Sequence, residues 1–208
     1  MYVVLLTGGI ASGKSTVARM LVAKGAHLVD LDVLSREVTE AGSATNELIA
    51  KAFGNDVLDV NGALCRDVLA RRAFATSEDT RRLEAIVHPA IRKRLDDWLA
   101  VQDAESVCVV EIPLLDRVED LIGRADEVLC VVCPINDRRA RAVRRGMDAA
   151  DFDARVAQQT TDEYLVEHAT TVLNNGAGED ELKEQIDDWW LRRSMAHREF
   201  CLATAQNS

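Results

Sequence analysis

The chain has 208 residues, 48% of them apolar and 29% charged, an ordinary globular composition with room for one α/β core and a smaller inserted unit. Its 25 basic residues stand against 35 acidic ones, and a net charge of −10 repels phosphate backbones, so general nucleic-acid binding is not expected. No apolar run approaches the roughly 20 residues of a membrane span, and MYVVLLTGG has no basic stretch ahead of its apolar residues, so a soluble cytoplasmic protein without a signal peptide is expected.

Short apolar runs alternate with segments of helical periodicity, the pattern of a parallel sheet covered by helices. The first strand is read at Tyr2–Thr7, followed by a helix from Lys14 to Lys24 with Val17, Met20 and Leu21 at helical spacing and Gly25 as its stop. His27–Asp30 is the second strand. Residues 33–105 read as helical, in segments Thr45–Phe53, Leu64–Phe74, Arg81–Val87 and Ala90–Val101. A crossover needs only about a dozen residues, so the excess is read as a helical insertion that holds an acceptor substrate. Ser106–Ile112 and Glu127–Cys133 are the third and fourth strands, and a second helical excess occupies 136–169. A fifth strand, Thr171–Asn174, precedes a last helix that begins after Gly178 and carries Leu182, Ile186 and Trp189 on one face. No repeat, linker or low-complexity tract appears, so the chain reads as one compact domain with two helical excursions.

Of the five cysteines, Cys130 and Cys133 have redox-motif spacing but lie inside the apolar run VLCVVC. No second pair or neighbouring histidine completes a zinc set, and Cys65, Cys108, Cys130, Cys133 and Cys201 are all read as small hydrophobes in a reducing compartment.

The sharpest local signal is Gly8-Gly9-Ile10-Ala11-Ser12-Gly13-Lys14-Ser15, a full match to G-x-x-x-x-G-K-S/T between a strand and an amphipathic helix. Glycines let the backbone turn its N–H groups inward as an anion nest, and the helix N-terminus adds partial positive charge at the same spot. Lys14 is placed to bridge the β- and γ-phosphates of ATP, and the Ser15 hydroxyl to ligate Mg²⁺. No N-K-x-D guanine motif occurs, and the chain is too short for a motor ATPase, so a small-molecule kinase fits the motif best.

The second strand ends in Asp30-Leu31-Asp32, at the sheet edge where open α/β proteins bind ligands. One carboxylate is read as the cap of the following helix, and Asp32 as the base that accepts the proton of an attacking hydroxyl. Glu111, at the end of the third strand, either holds Mg²⁺-bound water or serves a cap or salt bridge. His88 before Pro89 either contacts substrate or organises a break between two helices, the break being the reading preferred from the residues. The run Arg138, Arg139, Arg141, Arg144 and Arg145 concentrates positive charge in an acidic chain; Arg141 and Arg145 share a helix face suited to closing on a phosphate, while Arg139 and Arg144 read as solvated surface.

The order of short motifs resembles the dephospho-CoA kinase family over nearly the whole chain. Leu6–Ala18 is similar to the family's L-T-G-G-I-x-S-G-K-S-T-V-A, and Asp30 with Asp32 to its D-x-D, followed by Ser35-Arg36-Glu37-Val38. Phe53-Gly54, Asn61-Gly62-Ala63-Leu64-Cys65-Arg66, Leu83-Glu84 with His88-Pro89, Glu111-Ile112-Pro113-Leu114-Leu115, Arg155-Val156-Ala157-Gln158-Gln159 and Asn175-Gly176 continue the likeness. Departures are Asp116-Arg117 after the P-L-L run, Arg138 where the family has Gln, and Thr170 after Ala169.

The resemblance implies a P-loop NTPase fold with a five-stranded parallel sheet flanked by helices, a helical CoA-binding insertion within 33–105 and a lid within 136–169. The implied reaction transfers the ATP γ-phosphoryl group to the ribose 3′-hydroxyl of dephospho-CoA, with Mg²⁺ as cofactor, in a monomer or weak homo-oligomer. Catalytic roles fall to Asp32, Lys14 and Arg141. Gly9, Ala11, Ser12, Gly13, Lys14, Ser15 and Thr16, with Arg141 and Arg145, are implied to hold ATP. Thr7, Asp32, Arg36, Arg66, His88 and Leu114 are implied to hold the acceptor, and Ser15 and Glu111 the metal. The alternatives are another nucleoside or nucleotide kinase, or a nucleotide-binding module without turnover.

Overall fold

The computed structural model describes the backbone of residues 1–205 and the side chains of residues 1–193. Five strands form one parallel sheet: β1 (Tyr2–Thr7), β2 (His27–Asp30), β3 (Val107–Glu111), β4 (Glu127–Val132) and β5 (Thr171–Asn174), in the order β2-β3-β1-β4-β5. Tyr2 pairs with Val107 and Leu6 with Glu111, while Thr7 pairs with Cys130, so β1 lies at the centre with its C-terminal end between β3 and β4. Strands buried on both faces read as continuous apolar runs, and β1, β3 and β4 do. The strand boundaries expected from those runs agree with the observed ones to within one residue.

The chain divides into two compact units. The first comprises Met1–Val29 and the chain from Gln102 onward. Its core joins the sheet to α1 (Lys14–Ala23) and to α10 (Glu179–Ala205) through Val4, Leu6, Val17, Leu21, Val109, Leu129, Leu182, Ile186 and Trp189. It also holds the short α6 (Glu119–Ile122) and the helices α7 (Ile135–Arg144), α8 (Ala149–Val156) and α9 (Asp162–Glu167), of which α9 packs on β4. Cys108, Cys130 and Cys133 are buried free thiols, and burial pushes Cys108 and Cys130 up to about 11. They pack as hydrophobes, as their strand setting suggests; the side chain of Cys201 lies outside the described residues.

The second unit, Asp30–Val101, is helical: α2 (Leu31–Val38), α3 (Ala44–Phe53), α4 (Arg66–Ala73) and α5 (Ser77–Ala100). Ile49, Phe53, Val57, Leu69 and Ala73 form its core, with Leu83, Ile86 and Val87 of α5 packed against them. The break expected at His88-Pro89 is absent, because α5 runs through Pro89 as one 24-residue helix. An interior proline removes one backbone bond at a cost of about 3 kcal/mol. Apolar residues anchor the helix on both sides of it, with Leu83, Ile86 and Val87 before and the buried Ile91 and Leu95 after. Pro89 itself is exposed, as is Ala85, whose carbonyl loses its helical donor and is left for water.

One buried carboxylate stands apart from the apolar core. Glu127, at the start of β4, is fully buried and accepts from Trp189 Nε1 (2.9 Å), Arg193 Nη2 (2.9 Å), Tyr2 Oη (3.0 Å) and Thr171 Oγ1. Burial pushes its pKa up, but the bonds from Thr171, Trp189 and Arg193 pull harder, and the net shift is downward. Burial and the same carboxylate hold the Tyr2 phenol up at about 12. Removing one partner of such a set leaves the rest buried without a counterpart, so Glu127→Ala is expected to cost about 3–5 kcal/mol in urea unfolding. A carboxyl depressed in the folded state contributes stability that is complete above its unfolded value, near about 4.3, and fades as pH falls below it. As pH falls from neutral through the unfolded value and on through the lower folded-state one, the parent should therefore lose this contribution progressively, and Glu127→Gln should show a flatter stability profile. An identical pH profile in the two proteins would show that Glu127 is not the group responsible.

Candidate active site

The loop from Gly8 to Gly13 leaves the C-terminal end of β1 and enters α1. Gly8 (φ 153°), Ala11 (φ 58°) and Gly13 (φ 107°) have positive φ, and Ala11 is the one described non-glycine residue that does. Gly13 is the N-cap of α1 and brings no side-chain bond to it. The Thr16 amide turns back to the Gly13 carbonyl at 2.9 Å, and the Lys14 and Ser15 amides ahead of it lie where the helix dipole is most positive. Lys14, the first residue of α1, reaches back to β3: its Nζ lies 3.5 Å from Glu111 Oε1 and donates to the Ile112 carbonyl at 3.4 Å. Both side chains are about 15% exposed, at 15% for Lys14 and 14% for Glu111. The salt-bridge alternative for Glu111 is therefore realised, and its partner is the phosphate-loop lysine.

Behind the loop stand side chains from the far end of the chain. The buried Asn175, just after β5, donates from Nδ2 to the Ser12 carbonyl at 2.7 Å. A Cβ at position 13 would fall 2.0 Å from that nitrogen. Arg138 of α7, 3% exposed, donates from Nε to the Ile10 carbonyl at 2.8 Å and from Nη1 to both carboxylate oxygens of Asp162 at 2.8 and 2.9 Å. A Cβ at position 9 would lie 2.1 Å from its Nη2. Gly9 and Gly13 are thus demanded by close approach from behind, besides any ligand in front. Gln159 Oε1 accepts from the Ile10 amide at 2.7 Å. The buried Thr7 and Ser12 hydroxyls have no hydrogen-bond partner among the described residues.

Beside the loop lies a pocket of about 240 Å³ bounded by Gly13, Thr16, Arg141 and Asn175, and further by Arg144, Arg145, Glu179 and Leu182. Arg141 Nη2 donates to the Asn175 carbonyl at 2.8 Å, which fixes its guanidinium at the pocket wall. Arg139 pairs instead with Asp153 on the surface at 2.7 Å, in keeping with its solvated reading. Arg144, also read as plain surface, lines the pocket with Arg141 and Arg145, because three positions after Arg141 on α7 it shares that helix face.

In the second unit, β2 ends at Asp30 and α2 begins at Leu31, so Asp30 and Asp32 do not lie in one strand as expected. Asp30 is the N-cap of α2 and accepts from the Asp32 amide at 2.8 Å. The Asp32 carboxylate is exposed in the first helical turn. Arg36 is exposed on α2, Arg66 is exposed at the first position of α4, and His88 is half-buried within α5. In the first unit, Leu114 is half-buried just past β3, ahead of a single 3₁₀ turn.

The first unit therefore brings together Thr7, the loop residues Gly9 to Thr16, Glu111, Arg141 and Arg145. Arg138, Gln159 and Asn175 complete the arrangement without having been assigned roles from sequence. Asn175 carried a signal in its Asn-Gly pair directly after a strand, and Gln159 in its motif; nothing local marked Arg138 as a buried partner of the loop. Among the described residues no group of three or more His, Cys, Asp or Glu is set to hold a metal. An exposed Ser15 hydroxyl beside an uncapped helix start suits an ion that arrives on phosphate oxygens, not one caged by protein alone.

The family model described as CoaE, dephospho-CoA kinase, matches residues 2–181. The chain belongs to the dephospho-CoA kinase family. A dephospho-CoA kinase of Corynebacterium jeikeium is 42% identical over 194 residues, covering 91% of this chain and 98% of the relative. One of Ralstonia nicotianae is 37% identical over 208 residues, covering 95% and 99%. Among solved structures, TT1252 from Thermus thermophilus superposes with a TM-score of 0.80 at 34% identity, covering 92% of this chain and 97% of that one. A dephospho-CoA kinase from Campylobacter jejuni shares the fold at a TM-score of 0.68 and 22% identity, covering 93% and 98%. Membership of the dephospho-CoA kinase family makes the chain an enzyme of the kinase class and bears out the resemblance read from its motifs.

Proposed function

We propose that the chain transfers the γ-phosphoryl group of ATP to the ribose 3′-hydroxyl of dephospho-CoA, giving CoA and ADP. The observation that carries this reading is the phosphate loop with Lys14 held beside Glu111 at the sheet's C-terminal edge, in a chain matched to the family over residues 2–181. The loop amides and Lys14 grip the phosphates, and the pocket beside Gly13, Arg141 and Asn175 takes the rest of the nucleotide. Arg36, Arg66 and His88 of the second unit, Asp30–Val101, hold the acceptor.

Asp32 takes the proton of the 3′-hydroxyl as that oxygen bonds to the γ-phosphorus and the bond to the β,γ-bridging oxygen breaks. With Asp30 committed to capping, Asp32 is the carboxylate of the pair left open for this role. The Ser15 hydroxyl, and Glu111 through water, would hold Mg²⁺, which would supply neutralising charge to the phosphates. Helices α7 to α9 act as a lid that brings Arg141 and Arg145 to the nucleotide and excludes water. The protein works in the cytoplasm as a monomer or weak homo-oligomer, away from nucleic acid; its charge of −10 supports the last point.

Purified protein with ATP, Mg²⁺ and dephospho-CoA should yield CoA and ADP, with adenosine, AMP and shikimate much poorer acceptors. Equal or faster turnover on any of those three overturns the assignment. Arg141→Ala is expected to lower kcat/KM for ATP by at least about tenfold, because a charge-assisted contact at the phosphates is lost. Arg139→Ala, which breaks only the exposed pair with Asp153, should change it by less than about twofold. Small and equal effects at the two positions would reduce the run to surface charge.

A further inference from the structure

Ile10 sits at the tip of the phosphate loop, and both of its backbone polar groups are taken by lid side chains. Its carbonyl accepts from Arg138 and its amide donates to Gln159, at 2.8 and 2.7 Å. These contacts span 128 and 149 residues of sequence. A trans peptide points its C=O and N–H in opposite directions, and the described residues include no cis bonds. Holding the Ile10 carbonyl against the rear wall therefore turns the Ala11 amide to the front of the loop. The same geometry at Ser12, whose carbonyl is held by Asn175, turns the Gly13 amide forward. Two rear side chains thus aim alternate amides of the nest.

We infer that Arg138 is a positioning residue for phosphoryl transfer: clamped by Asp162, it sets the Ile10–Ala11 peptide so that the Ala11 amide faces the nucleotide phosphates. Its guanidinium is suited to this and a shorter side chain is not. Nε serves the carbonyl while Nη1 spans the carboxylate, and the planar fork fixes the angle between the two. Gly9 lets it approach this closely, since any Cβ there would collide with Nη2. Arg138 does not touch substrate in this role; it acts through one peptide unit. The inference rests on the reading of the loop as the nucleotide site, and binding is measured separately from turnover for that reason.

The experiment uses the full chain, with ADP affinity by calorimetry and KM for ATP and dephospho-CoA from steady-state rates. Arg138→Gln should weaken ADP binding and raise KM for ATP by at least about tenfold, the loss of a buried charge-assisted bond. KM for dephospho-CoA should stay within about twofold, the scatter of a substitution remote from that site. A role in stability alone would lower the active fraction, and so the apparent kcat, with ADP affinity unchanged. Asp162→Asn should have a smaller effect, and the double variant should lose no more than Arg138→Gln, because both changes release one clamp.

Gln159→Leu removes the other arm from a half-buried site without stranding a charge, and should weaken ADP binding several-fold even if Arg138→Gln does not fold. ADP affinity within about twofold of the parent in Gln159→Leu and in every folded Arg138 variant overturns the inference. Independent, multiplying losses at Arg138 and Asp162 overturn the clamp. A parent protein that binds ADP but does not phosphorylate dephospho-CoA overturns the proposed function and leaves Arg138 to be judged on binding.

Discussion

Lys14→Ala is expected to abolish turnover, by at least about a thousandfold in kcat, while the protein remains folded. The lysine is the first residue of α1 and its ammonium lies 3.5 Å from Glu111 at the end of β3. Negative charge develops on the phosphates during transfer, and a compact cation held at that point lowers the barrier more than it aids ground-state binding. Its removal has a second effect, because Glu111 loses the charge that masks it and then repels the phosphates it faces. Lys14→Arg should rescue poorly, since a planar fork does not replace a point charge beside a tight loop. The fold is expected to survive because the pair sits at the loop edge of the sheet and not in its apolar core, although a 14% exposed Glu111 left without its cation costs more than a surface ion pair would. An ADP-release assay with a thermal melt checks both halves; near-normal kcat in the alanine variant removes the phosphate loop from the mechanism.

Asp32→Asn should reduce kcat by about 10²–10⁴ with ATP binding intact, the usual contribution of a positioned general base. Asparagine keeps the shape and the exposed position in the first turn of α2 but cannot take a proton. Asp30→Asn should be milder in chemistry, since an asparagine oxygen still caps the Asp32 amide. The pair is decisive when compared by single-turnover rates at saturating substrates. If Asp30→Asn is the more damaging to the chemical step, the base is Asp30 and the cap has a catalytic duty as well.

What could be read from sequence followed the range of the interactions involved. The strands were legible because β1, β3 and β4 are buried on both faces and so are apolar without interruption. The phosphate loop was legible because its chemistry needs glycines and a lysine at fixed local spacing. Pro89 misled because the rule for proline is local, whereas the packing that carries α5 through it comes from residues on either side. Asp32 was placed in a strand because nothing in the run Asp30-Leu31-Asp32 marks where extended backbone turns helical; Asp30 as a cap does so only once its bond is seen. Arg138 looked like one more basic residue on a helix, and its partners Ile10 and Asp162 are separated from it by 128 and 24 positions. Glu127 was legible only as the first residue of a strand, for periodicity does not reveal that Tyr2, Thr171, Trp189 and Arg193 converge on it.

The thiols within β3 and β4 give the molecule a built-in clock for the opening of its sheet. Thiolate is the species that reacts, and burial that holds Cys108 and Cys130 near 11 makes it scarce while it also bars access to the sulfur. Modification of either one by an alkylating reagent therefore counts separations of the central strands, whereas the half-exposed Cys65 of the helical unit reports on its own surroundings. Residue-resolved alkylation rates would measure how often each unit breathes without any added label. A nucleotide that seats on the loop between β1 and α1 should slow the clock at Cys108 and Cys130 in proportion to its occupancy.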